Sequence, residues 1–164
     1  MKLLSNTEIT QLTNNDILRR LRYTFDLDDK AMLDTFDAAD LKVELLKLHA
    51  WLKKDDVEGY LAINDVTFAT FLNGFINTKR GKKEGPQPEP EKTLNNNIIF
   101  RKLKIALDLK AEDVLDILLL ADFRLSKHEL SAFFRKPDHK HFRLCKDQVL
   151  RNFLMGMQLK HRPE

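Results

Sequence analysis

Asn14-Asn15-Asp16-Ile17-Leu18-Arg19-Arg20-Leu21-Arg22-Tyr23-Thr24-Phe25-Asp26-Leu27 returns later in the chain as Asn96-Asn97-Ile98-Ile99-Phe100-Arg101-Lys102-Leu103-Lys104-Ile105-Ala106-Leu107-Asp108-Leu109. The offset, 82 positions from Asn14 to Asn96, holds without a gap as far as Arg80. Leu33-Asp34 meets Leu115-Asp116, Ala39-Asp40 meets Ala121-Asp122, and Phe71-Leu72 meets Phe153-Leu154. Self-similarity at a fixed period decides architecture before any local reading does. The chain is a duplication, with repeats over residues 14–80 and 96–162, an extension over 1–13 and a linker over 81–95.

Each repeat reads as four short helices, which makes the fold class all-α. In the first helix Ile17, Leu18, Leu21 and Phe25 fall on one side, as do Ile99, Phe100, Leu103 and Leu107, and an Asn is expected at its cap. The second follows Asp28 or Asp29, whose carboxylates suit a helix N-terminus, and ends near Ala39-Asp40. Ser126-Lys127-His128-Glu129 is a capping box that opens the third, stopped by Pro137. The fourth carries the stripe Phe68, Phe71, Leu72, Phe75, matched by Leu150, Phe153, Leu154, Met157. Gly74 and Gly156 recur inside it. A glycine there costs about 1 kcal/mol relative to Ala, so a close backbone neighbour is expected, either the other fourth helix or a first helix. Ser5-Asn6-Thr7-Glu8 has capping-box form, which points to a helical turn over Glu8 to Leu12.

Between the repeats Pro86, Pro88 and Pro90 alternate, which forbids helix and favours an extended polyproline segment. At about 3.1 Å per residue such a strap spans a small domain. The two repeats are therefore expected to meet about an approximate two-fold axis.

Composition narrows the class. A chain of 164 residues with 43% hydrophobic content can bury a full core. No apolar run approaches the ~18 residues that cross a bilayer, and Met1 to Asn6 lacks a signal-peptide core. Cys145 is the single cysteine, which excludes an intrachain disulfide and points to a reducing, cytoplasmic setting. Net charge is +3, but residues 1–80 hold 11 Lys+Arg against 13 Asp+Glu, while residues 81–164 hold 17 against 12. The basic excess belongs to the second half, and such a bias points to an anionic partner or to a solvated face.

Several side-chain sets invite chemistry. Arg19, Arg20 and Arg22 recur as Arg101, Lys102 and Lys104; two basic ridges about a pseudo-two-fold suit phosphates, and solvated helix faces are the plainer alternative. Helices two and three of the second repeat have helix-turn-helix proportions, which would place Lys127, Arg135 and Lys136 on or near a recognition helix and Lys140 and Arg143 on backbone phosphate. His128, His139, His141 and Cys145 offer zinc ligand types, but His-x-His-x3-Cys is no familiar spacing and a basic loop with surface imidazoles explains them as well. The pairs Asp28-Asp29 and Asp55-Asp56 sit where caps and turns already favour Asp. No catalytic constellation or cofactor motif emerges.

Asn15 to Tyr23, Ala50-Trp51-Leu52-Lys53-Lys54, Gly81 to Glu91 and Arg124-Leu125-Ser126-Lys127-His128-Glu129-Leu130-Ser131 resemble the bacterial YehS-like proteins, a family of unknown function made of a duplicated domain. The resemblance runs from about Asn14 to Arg162, and the extension before Asn14 departs from the family's usual start. It implies a bacterial, cytoplasmic origin and supplies no activity or site residues. The expectation is a non-enzymatic binding protein, first for nucleic acid through its basic helical surfaces, second for protein partners or for self-association, with no membrane role and no oligomeric state specified.

Overall fold

A computed structural model describes residues 10–163. Among the described residues the chain forms eight helices and no strand. The first repeat comprises α1 (Asn14–Thr24), α2 (Asp29–Asp37), α3 (Leu45–Leu52) and α4 (Asp65–Arg80). The second comprises α5 (Asn96–Ala106), α6 (Ala111–Leu120), α7 (Lys127–Phe133) and α8 (Asp147–His161). Each helix lies in register with its counterpart at the same offset. The capping box read at Ser5 to Glu8 lies outside the described residues.

Local chemistry accounts for the ends. Thr13, not an Asn, caps α1: its Oγ1 accepts the N–H of Asp16 at 3.1 Å while Asp16 accepts the N–H of Thr13 at 3.0 Å. Asn95 caps α5, Asp28 caps α2, and Ser126 and Glu129 form the expected capping box on α7. After the first and second helices of both repeats the chain turns through a left-handed aspartate, Asp26, Asp40, Asp108 or Asp122. In each case the next residue's N–H reaches back five residues, as Leu27 does to Arg22 and Phe123 to Leu118, which closes a Schellman turn.

Asn15 and Asn97, in the first turn of α1 and α5, cap no helix and instead satisfy buried backbone of the loop before the fourth helix. Both are buried inside the first turn. The amide of Asn15 donates to the carbonyls of Trp51 and Leu61 and its oxygen accepts the N–H of Ile63. Asn97 repeats this with Phe133, Arg143 and Cys145. A carboxamide carries donors and an acceptor in one small group, so it can satisfy a buried loop that no helix ladder reaches.

Apolar faces from all eight helices form one continuous core, with Leu18, Leu21, Phe36, Phe71, Phe100, Leu118 and Phe153 fully buried. Each such side chain contributes about 2 kcal/mol of burial. Within a repeat the fourth helix packs on the second: α4 on α2, α8 on α6. Between repeats the packing is reciprocal, with α4 against α5 and α8 against α1. Two ion pairs obey the same exchange, Arg80 with Asp108 at 3.0 Å and Arg162 with Asp26 at 3.2 Å. Each repeat thus supplies its fourth helix to the other's first, the relation an approximate two-fold imposes.

The repeated glycines do mark a close approach, but to a different neighbour. A Cβ at Gly74 would collide with the carbonyl oxygen of Thr35, and one at Gly156 with that of Ile117. The neighbour is therefore the second helix of the same repeat. The linker forms neither helix nor strand, and Gln87 anchors it by accepting from Asn77 at 3.1 Å.

Candidate functional site

Packing α8 against α1 and α4 against α5 covers the side of the first helices that faces away from their own repeat's core. That geometry redistributes the expected basic ridge. Arg19 donates to the carbonyl of Lys53 at 2.8 Å and pairs with Asp16 at 2.5 Å, and Arg101 donates to the carbonyl of Phe134 at 2.6 Å. Both guanidiniums cap the C-terminal end of the third helix, where a cation opposes the negative end of the dipole. Arg22 pairs with Asp29 at 2.7 Å, and Asp29 also receives His49 Nε2 at 2.8 Å. The His49 hydrogen bond, then that of Arg22, holds the Asp29 carboxyl below its usual range. Lys104 lies over the ring of Phe134 at 5.6 Å. Arg19, Arg22, Arg101 and Lys104 are thus tied within their own repeats.

Arg20 and Lys102 occupy equivalent places in the two inter-repeat seams, yet their surroundings differ. Lys102 donates to Asn73 Oδ1 at 2.6 Å and lies 3.1 Å from Glu91 of the linker, close enough for an ion pair though not aligned for a hydrogen bond. Arg20 has no such answer among the described residues, where its Nη1 is buried without an acceptor. Burial, then the nearby guanidinium of Arg151, pushes the Arg20 pKa down against the opposing pull of Asp16. Arg151 itself donates to the Thr10 carbonyl through Nη2, while its Nε is buried with no acceptor among the described residues. The position equivalent to Arg151 in the first repeat is Ala69, buried in the core. Arg151 escaped the sequence reading; the signal for it was a charged residue in one fourth helix where the other carries alanine.

Sequence-equivalent grooves run along both seams. One, of about 460 Å3, is lined by Asp16, Arg20, Tyr23, Arg151 and Gln158. The other, of about 360 Å3, has Ile98, Lys102, Ile105 and Ile76 at the matching positions and is bordered by Arg101, Arg135 and Phe142. A third and wider groove, of about 850 Å3, lies over Arg22, Tyr23, Asp29, His49 and Arg162.

The remaining predicted cations gather on the second repeat. Lys127, the first residue of α7, pairs with Glu112 at 3.0 Å. Arg135 and Lys136 fall beyond the end of α7, which has only seven residues, so they belong to the following loop and not to a recognition helix. Lys136, Lys140 and Arg143 are exposed in that loop. Arg143 donates to the Phe142 carbonyl at 2.9 Å, and among the described residues the ammonium groups of Lys136 and Lys140 make no ion pair. The first-repeat loop carries Asp55, Asp56 and Glu58 over the corresponding stretch.

His139 and His141 lie in the same loop with ring centres 5.5 Å apart, and Nδ1 of His139 accepts the N–H of His141. Cys145 is buried, and desolvation, then Asp147, pushes its thiol up to about 12. Such a thiol stays protonated near neutrality. Among the described residues no three His, Cys, Asp or Glu groups converge at metal-binding distance, and no helix is long and apolar enough to cross a membrane.

Comparison with known proteins returns the same duplication. The family described as "Protein of unknown function (DUF1456)" matches residues 14–81 and again 96–162. The chain is 42% identical over 147 residues to a protein of Escherichia coli (strain K12) called "Uncharacterized protein YehS", covering 89% of this chain and 94% of that one. No solved structure matches.

Proposed function

We propose that this chain, which belongs to the DUF1456 family of unknown function, is a non-enzymatic nucleic-acid-binding protein of the bacterial cytoplasm that works through the basic loop of its second repeat. The observation that carries this reading is the uncommitted charge after α7. Lys136 and Lys140 are exposed and bridged to no carboxylate among the described residues, and Arg143 and Lys146, also exposed, follow them in the chain. Unbridged cations on a loop are what a phosphate backbone recruits, because each contact releases condensed counterions. The neighbouring groove adds an apolar wall of Ile98, Ile105 and Phe142 beside Arg101 and Arg135, a combination that suits a base next to its phosphate. Opposite charge in the first repeat's loop argues that the two repeats have different roles.

Helix-turn-helix readout by α6 and α7 adds little, since α7 is short and Lys127 is held by Glu112. A protein-interaction role is the second reading, favoured by the exposure of Leu46 at 83% and Leu120 at 51%.

The test is fluorescence anisotropy with labelled double-stranded DNA, single-stranded DNA and RNA at several salt concentrations. At least one should bind with an affinity that falls steeply with salt. Replacing Lys136, Lys140 and Arg143 together by Glu should abolish binding, while Ala at Lys136 and Lys140 should shallow the salt slope by about 2. Absence of binding to all three at low salt would remove this reading and leave the protein-interaction one.

A further inference from the structure

The two seams pose one electrostatic problem and show one answer. In the seam between α4 and α5, the cation Lys102 is met by a carboxylate that the linker carries in, Glu91, and by the Asn73 amide. The seam between α8 and α1 has a larger charge to settle. Arg20 stands where Lys102 stands, and Arg151 adds a second guanidinium where the pseudo-two-fold places Ala69. The position equivalent to Glu91 is Ile9, an uncharged residue. Asp16, the nearby carboxylate, is already engaged: Oδ1 by Arg19 and Oδ2 by the Thr13 N–H. Among the described residues two buried N–H groups, Arg20 Nη1 and Arg151 Nε, are left without acceptors, and the side chains that carry them line a groove of about 460 Å3.

Leaving a buried charged donor unsatisfied is costly, and two adjacent guanidiniums repel. A ligand that removes both costs is a compact dianion with several acceptor oxygens, since guanidinium forks match phosphate geometry. We infer that the groove between α1 and α8 binds a phosphate group, free or as a monoester, through Arg20 and Arg151. This site is separate in its residues from the basic loop of the second repeat.

Full-length protein would be titrated with sodium phosphate and with glycerol 3-phosphate, followed by thermal melting and calorimetry, against sodium chloride at matched ionic strength. Phosphate should raise the melting temperature saturably where chloride does not; tighter binding of glycerol 3-phosphate would mark a monoester as the preferred source. Arg151→Ala, which copies the other repeat, should weaken phosphate binding at least tenfold. Arg20→Lys keeps the charge but removes the fork and should do the same, so the test survives if either variant fails to fold. Substitution of the basic loop should leave the phosphate response intact, which separates this site from nucleic-acid binding. Equal responses to phosphate and chloride would overturn the inference. So would an undiminished response in folded Arg151→Ala.

Discussion

Asp147 at the start of α8 accepts the backbone N–H of Leu12 at 2.9 Å, and 82 residues earlier Asp65 accepts that of Leu94 at 2.8 Å. Each carboxylate reaches from one repeat to the segment that leads into the other. Its second oxygen stays at home, receiving the amide of Asn96 or Asn14 at 2.7 and 2.8 Å. One side chain therefore joins the entry of a fourth helix, the first helix of the same repeat and the approach to the opposite one.

Removing that junction should be felt. Asp147→Ala leaves the Leu12 N–H without its acceptor and the Asn96 amide with the Cys145 carbonyl alone, and the expected loss is about 2 kcal/mol. Urea unfolding of this variant, of Asp65→Ala and of the double mutant would show whether the two junctions act independently.

Gly156→Ala should be more damaging. The new methyl group meets the Ile117 carbonyl, which is backbone and cannot rotate away, so α8 must lift from α6. A loss of about 3 kcal/mol is expected. Gly74→Ala should cost a similar amount, because Thr35 stands in the same relation to it.

The left-handed aspartates offer the opposite effect. Asp122 has φ 58° and, among the described residues, no ion-pair partner. Asp122→Gly should stabilise by about 1 kcal/mol, since glycine adopts this conformation without a Cβ penalty. Asp108→Gly should gain less, because it gives up the pair with Arg80. Thermal melting of the two variants side by side tests the difference.

His161 supplies a pH dependence. Its ring packs 4.8 Å from that of Phe25, and burial, then Lys160 and Lys79, hold its pKa below 6.5. The unfolded chain therefore takes up this proton first as pH falls, so the contribution is complete above 6.5 and is lost as pH drops from there through the folded value. The urea midpoint should decline between pH 7.5 and 5.5, and His161→Gln should flatten part of that decline.

Register, helix number and the capping box on α7 were legible because they depend on residues near in sequence. Gly74 and Gly156 announced a close backbone approach, yet nothing local says which helix comes close; the expected neighbour was the other fourth helix or a first helix, and it is the second helix of the same repeat. Arg19, Arg20 and Arg22 were misplaced for a related reason. Periodicity puts them on the side of α1 that faces away from its own repeat's core, and only the tertiary exchange of fourth helices turns that side into a seam. Arg151 needed comparison of the repeats for their differences, where Ala69 stands against it, as well as for their likeness.

The exchange of fourth helices has a consequence for how the two seams could diverge. In a symmetric dimer of single repeats, any substitution is made twice, so an arginine welcome in one seam must be tolerated in the other. Joining the repeats in one chain lifts that constraint. Position 69 can stay alanine to fill the core while position 151 becomes arginine, and one groove can turn apolar while its twin gathers charge. Fusion gives a lineage two sites to specialise where a dimer has one site repeated.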